Sequence, residues 1–115
     1  MRARVNYDVR KLDSEAVAFG ATGTTGNMSF THTGFLVALI VDVPDFTNNI
    51  TVTAAVQDAD GLELYSLAAI AKNNTQVIHM LEKYCPVYGE TTVALTLSGV
   101  AGGSGGTITV TPIVE

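Results

Sequence analysis

The residues whose types and spacing could carry chemistry are few, and the densest group is Gly20-Ala-Thr-Gly23-Thr-Thr-Gly26. Three glycines at that spacing match the fingerprint with which a strand-turn-helix unit cradles a pyrophosphate. The glycines admit the phosphate and a helix N-terminus faces it. Asp42 stands about where a ribose-binding acid would follow. The context fails, because the unit needs a helix of about ten residues after the glycines. The eight residues before Phe35 are rich in Ser, Thr and Asn and are broken by Gly34. The stretch therefore reads as a loop, and no dinucleotide is expected.

The remaining motifs fall by similar arguments. Asp58-Ala-Asp60-Gly61 resembles the start of a calcium loop, but the twelfth residue of such a loop, where a glutamate is required, is Ala69. Turn chemistry explains the same four residues. Gly102-Gly-Ser-Gly-Gly106 lacks the Lys-Ser/Thr of a phosphate loop. His32 and His79 are far apart and have no zinc-ligand spacing with Cys85. No Gly-x-Ser-x-Gly elbow occurs around a strand-helix turn, since Gly102-Gly-Ser-Gly-Gly106 leads into a strand. No cofactor, no metal and no enzymatic activity are expected.

Charge gives the one pointer to a partner. Arg2, Arg4, Arg10 and Lys11 are four of six basic residues, so residues 1–11 carry +3 and the remainder −8. A basic arm on an acidic body suits docking on an acidic partner surface; a solvated terminus is the plain alternative. These four residues are the candidate partner-binding set. An acidic body disfavours nucleic acid. No apolar run approaches the length of a membrane span, and no apolar core follows the early charges as a secretory signal would require. The lone Cys85 cannot form an intrachain disulfide and is expected as a small buried hydrophobe. With 47% hydrophobic and only 15% charged residues, the chain is expected to hide apolar surface by self-association as a homo-oligomer.

Strands must position these residues. Residues 35–41, 50–56, 93–97 and 107–111 are apolar, β-branched or alternating, and turn residues separate them. The last two read as a terminal hairpin with a long glycine-rich, mobile tip. A further strand is expected near 15–19, and residues 62–71 form another apolar segment. Residues 76–84 fit either a strand or a short helix. The expectation is an all-β protein: a single antiparallel β-sandwich or jelly-roll-like domain over 13–115, preceded by an extended basic arm over 1–12.

The order "ITVTAAVQ", "DADG", "LELYSLAAI", "TQVIHML", "TTVALTLSGV", "TITVTPIVE" resembles the small β-sandwich decoration, or cement, proteins of tailed bacteriophage capsids. The likeness spans roughly residues 34–114, and the N-terminal third departs from it. It implies a non-enzymatic virion protein, made in the host cytoplasm, that binds the outer capsid surface across major capsid protein subunits. A carbohydrate- or surface-binding module of a tail fibre or adhesin is the alternative. The lack of tryptophan weighs against it.

Overall fold

The computed structural model describes residues 9–80 and 85–115. They form ten strands: β1 (Arg10–Lys11), β2 (Glu15–Phe19), β3 (Thr25–Thr31), β4 (Gly34–Val43), β5 (Thr51–Gln57), β6 (Glu63–Ala71), β7 (Asn74–His79), β8 (Cys85–Val87), β9 (Glu90–Leu97) and β10 (Gly106–Val114). No helix among them is long and apolar enough to cross a membrane.

Two antiparallel sheets face each other. In the first, β1 and β2 lie end to end along one side of β10, whose other side pairs with β4. β7 and β8 then lie end to end along the far side of β4. The second sheet runs β3-β9-β5-β6. Counting β1/β2 and β7/β8 as interrupted single strands leaves eight strands in two sheets of four. Their order is that of a jelly roll. The expected all-β class and jelly-roll-like architecture are thus observed.

The core lies between the inner faces. Leu36, Leu39, Val41 and Val43 come from β4, and Ile108, Val110 and Val114 from β10. Opposite them stand Val52 and Val56 of β5 with Val93 and Leu95 of β9. Alternation at a period of two places these side chains inward, with one bulge at Val37 of β4, between the pairs Leu36–Val114 and Ala38–Ile113, that brings both Leu36 and Leu39 to the core. No buried side-chain nitrogen or oxygen of the described residues lacks a hydrogen-bond partner.

Four sequence expectations change. Residues 93–97 and 107–111 are no hairpin: β9 pairs with β3 and β5, whereas β10 pairs with β1, β2 and β4. The glycine-rich segment between them crosses from one sheet to the other. It is held down rather than forming a free tip: Ala101 is buried, its carbonyl accepts from Asn48 N, and Gly102 N donates to Ala21 O. Second, half of the supposed loop after Gly20 is β3, with Met28 and Phe30 buried and Thr25, Asn27, Ser29 and Thr31 outward. Third, the sandwich begins at Arg10 rather than residue 13. Arg10 opposes Val114, Lys11 opposes Ile113, and Leu12 N donates to Pro112 O. Residues 12–14 then face two residues of β10 before Glu15 opposes Val110, a one-residue bulge at a sheet edge. Fourth, the ambiguity over 76–84 resolves as strand through His79, while 81–84 lie outside the described residues.

Edge strand β6 carries its own irregularity. Ala68 and Ala69 face the single residue Thr53, and Ala69 adopts a left-handed φ of 60°. Bulges of this kind twist an edge away from further pairing.

Cys85 is buried on β8, as expected, and its burial raises the thiol pKa. A raised pKa leaves less thiolate at a given pH, and thiolate is the reactive species. Alkylation at pH 8 is therefore expected to be slow in the native protein and fast in denaturant. Equal rates would show that β8 opens freely.

Candidate partner-binding surfaces

Of the four basic candidates, Arg2 and Arg4 lie outside the described residues. Arg10 and Lys11 both sit exposed on β1 at the edge of the first sheet. Lys11 shares the outer face with the half-buried Ile113, its partner in register. β1 has no apolar residue of its own, so β10 imposes its strand conformation.

The glycine fingerprint does mechanical work. Gly23 N donates to Gly20 O in a turn, and Gly26 is already inside β3. A Cβ at Gly26 would meet Val17 Cγ1 at 2.7 Å and Phe19 Cζ at 3.2 Å, so this glycine lets β3 approach β2. A strand follows the glycines where a phosphate site needs a helix.

Asp58-Ala-Asp60-Gly61 is a turn built by its first carboxylate. Asp58 Oδ1 accepts from Asp60 N at 2.9 Å and Leu62 N at 2.8 Å, and Gly61 takes φ 85°. No group of three potential metal ligands forms among the described residues. His32 Nε2 donates to the Glu115 carbonyl at 3.0 Å, and His79 lies on β7 opposite Ala38.

This turn also walls a shallow groove of about 290 Å³, lined by Asp58, Ala59, Asp60, Leu64, Pro86 and Tyr88. The Asp-Gly turn joins β5 to β6 in the second sheet, whereas Pro86 belongs to β8 in the first. The groove therefore spans the open end of the sandwich. Its residues come from separate sheets, so the sequence marked one wall of it, the Asp58-Ala-Asp60-Gly61 turn, and gave no sign that Tyr88 stands opposite.

The outer face of the second sheet is of another kind. Thr25, Asn27 and Ser29 of β3 adjoin Thr92, Ala94 and Thr96 of β9, followed by Thr53 and Ala55 of β5. Ser29 Oγ and Thr92 Oγ1 bond at 3.1 Å. Small, uncharged side chains make this face flat, and Glu63 and Glu90 stand at one end of it.

No protein-family model matches the chain, and no curated protein matches it in sequence. Among solved structures, the fold is similar from end to end to the SPBc2 prophage-derived protein YomS, at 13% identity and a TM-score of 0.53, covering 96% of this chain and 99% of that one. TmCBM61, solved in complex with β-1,4-galactotriose, is similar at 10% identity and a TM-score of 0.45, over 93% of this chain and 78% of that one. A structure of infectious bursal disease virus, Gt strain, is similar at 12% identity and a TM-score of 0.39, over 93% of this chain and 32% of that one. At these identities the likeness concerns the fold, and the latter two are too distant to argue from.

Proposed function

We propose that this protein is a non-enzymatic virion structural protein that decorates and stabilises a phage capsid, binding as a homo-oligomer across major capsid protein subunits on the outer surface. The observation that carries the reading is the end-to-end correspondence of its jelly roll with a prophage-derived protein. Two features support it. The flat outer face of small, uncharged residues suits contact with a broad protein surface better than capture of a small ligand. The low charge content suits a chain that buries surface by association.

Co-sedimentation with assembled shells of a phage major capsid protein tests the reading. Saturable binding to assembled shells is expected, weakening as salt rises because exposed charge pairs are screened within about 10 Å at 0.1 M. The full-length quadruple variant Arg2→Ser, Arg4→Ser, Arg10→Ser and Lys11→Ser should bind more weakly. Each lost pair is worth about 0.2–1 kcal/mol if exposed. A natively folded protein that leaves shells bare would overturn the proposal. Tyr88 favours a second reading, a carbohydrate-binding module, since an exposed ring beside carboxylates can hold a sugar. Retention on immobilised polysaccharide, abolished by Tyr88→Ser, would select it.

A further inference from the structure

The described residues expose six large apolar side chains, and four of them gather at one end of the sandwich. They are Tyr88 at 82%, Leu62 at 64%, Val9 at 51% and Phe35 at 41% relative exposure. Register brings them together. Arg10 opposes Val114, Glu115 and Phe35 exchange backbone hydrogen bonds, and Phe35 opposes Pro86, which lines the groove with Tyr88. The groove also holds Asp58 and Asp60, with the exposed Glu63 and Glu90 close in sequence to its walls.

The chain enters the sandwich at this same end. Eight residues precede Val9, reading Met-Arg-Ala-Arg-Val-Asn-Tyr-Asp, so Arg2 and Arg4 alternate with Met1, Ala3, Val5 and Tyr7. In extended form such a segment offers arginines on one side and apolar groups on the other. That is the complement of a groove with two aspartates, Leu64, Pro86 and an exposed ring. Arginine also suits the face of Tyr88 through cation–π attraction.

Reach permits the contact. β1 and β8 are separated by β10 and β4, about 14 Å at ordinary strand spacing. Eight extended residues span about 26 Å. A segment folded back on its own groove would leave Val9 exposed, whereas a second copy presenting the same end would cover Val9 together with Leu62 and Tyr88. Donor and acceptor on one end also let a two-fold axis satisfy both at once, giving a closed, self-complementary pair.

We propose that the end groove lined by Asp58, Asp60, Leu64, Pro86 and Tyr88 receives the basic N-terminal segment, residues 1–8, of a second copy, and that reciprocal exchange makes a two-fold dimer. This deepens the homo-oligomer part of the reading above, and it holds whether or not the copies sit on a shell.

Sedimentation of the full-length chain without capsid tests it. A dimer is expected. Asp60→Lys, or Arg2→Glu with Arg4→Glu, should each raise the dimer Kd by about tenfold or more through like-charge contact. Mixing the Asp60→Lys protein with the Arg2→Glu/Arg4→Glu protein should restore pairing, because the reversed charges meet again on half of the contacts. A synthetic peptide of residues 1–8 should compete with the dimer and perturb the Tyr88 ring resonances. Three results would overturn the proposal: a monomeric chain at high micromolar concentration; a dimer indifferent to Asp60, Arg2 and Arg4; or Tyr88 shielded in a monomer that ignores the peptide, which would mean each segment fills its own groove. Shell binding is read separately, so a dimer that ignores capsids would sink the virion reading and leave this one standing.

Discussion

Replacing Phe46 by alanine is expected to lower the unfolding free energy by about 3–5 kcal/mol. Phe46 lies in the crossing from β4 to β5 and is almost wholly buried. Its ring meets that of Phe19, the last residue of β2, edge to face, with centroids 6.3 Å apart and planes at 87°. Gly106, the first residue of β10, sits so close that a Cβ there would lie 2.9 Å from Phe46 Cε1. The ring thus closes the end of the sandwich opposite the groove, where three segments converge. Collapse into the resulting cavity is resisted by the backbone. Phe46 N donates to Pro44 O, and its carbonyl accepts from Lys72 Nζ at 2.7 Å. Lys72 is in turn 3.5 Å from Asp45. For a domain of this size the loss corresponds to a Tm drop of about 12–20 °C. It is a large share of the roughly 5–15 kcal/mol typical of a whole domain. Val100→Ala is the control: its side chain is substantially exposed and does not line the groove, and the expected loss is below about 1 kcal/mol. Thermal and urea unfolding of the two variants measure the difference. A loss under 1 kcal/mol at Phe46 would show that the end of the sandwich can close without the ring.

What the sequence disclosed and what it hid have physical causes. The strong strands were readable because the inward positions of β5, β9 and β10 are mostly aliphatic at a period of two, and because β4 is an apolar, β-branched run too short for a helix. That period says which side chains face a core and nothing about which sheet a strand joins. β9 and β10, adjacent in sequence and both alternating, looked like a hairpin and proved to be in opposite sheets. β3 escaped because its outward positions are Thr, Asn and Ser and its first inward one is Gly26, residues with weak or no strand preference apart from threonine. β1 has two charged residues and no apolar signal. Its pairing is imposed by β10, so the basic residues expected on a free arm divide into two in the sheet and two before it. The groove was hidden for a similar reason, since Asp58 and Tyr88 meet only after both sheets form. The turn chemistry of Asp58 was legible, because it is local: a carboxylate bonding its own backbone two and four residues on.

The crossover between β9 and β10 separates the two readings of that segment by experiment, and Gly105 is the position that decides. It takes φ +75°, and a Cβ there would run into the carbonyl oxygen of Phe19, with the Phe19 and Gly20 carbonyl carbons at 2.9 Å. These are backbone atoms at the first rung between β2 and β10, where Gly106 opposes Phe19. They cannot swing aside as a flexible side chain would. Gly105 N also donates to Gly102 O within the segment, while Gly102 N donates to Ala21 O and the Ala101 carbonyl accepts from Asn48 N, so the segment is tied to the turn after β2 and to the crossing from β4 to β5. Gly105→Ala is therefore expected to cost about 2–4 kcal/mol, the left-handed backbone accounting for about 1–2 of it and the displaced rung for the rest. Gly61 supplies the comparison, with φ +85° and nothing within 4 Å of its added Cβ. Gly61→Ala should lose only the conformational part, about 1 kcal/mol. A free hairpin tip would make the two substitutions equal, since an untethered loop relaxes around a methyl group. A tethered crossover makes them differ by about 1–3 kcal/mol, because at Gly105 relief requires breaking the pairing of β10 with β2. Equal losses would mean that the segment gives way without disturbing either sheet. A larger loss at Gly105 accompanied by faster amide exchange at Val17 and Ile108, the next inward pair of that ladder, would locate the strain where β2 and β10 join.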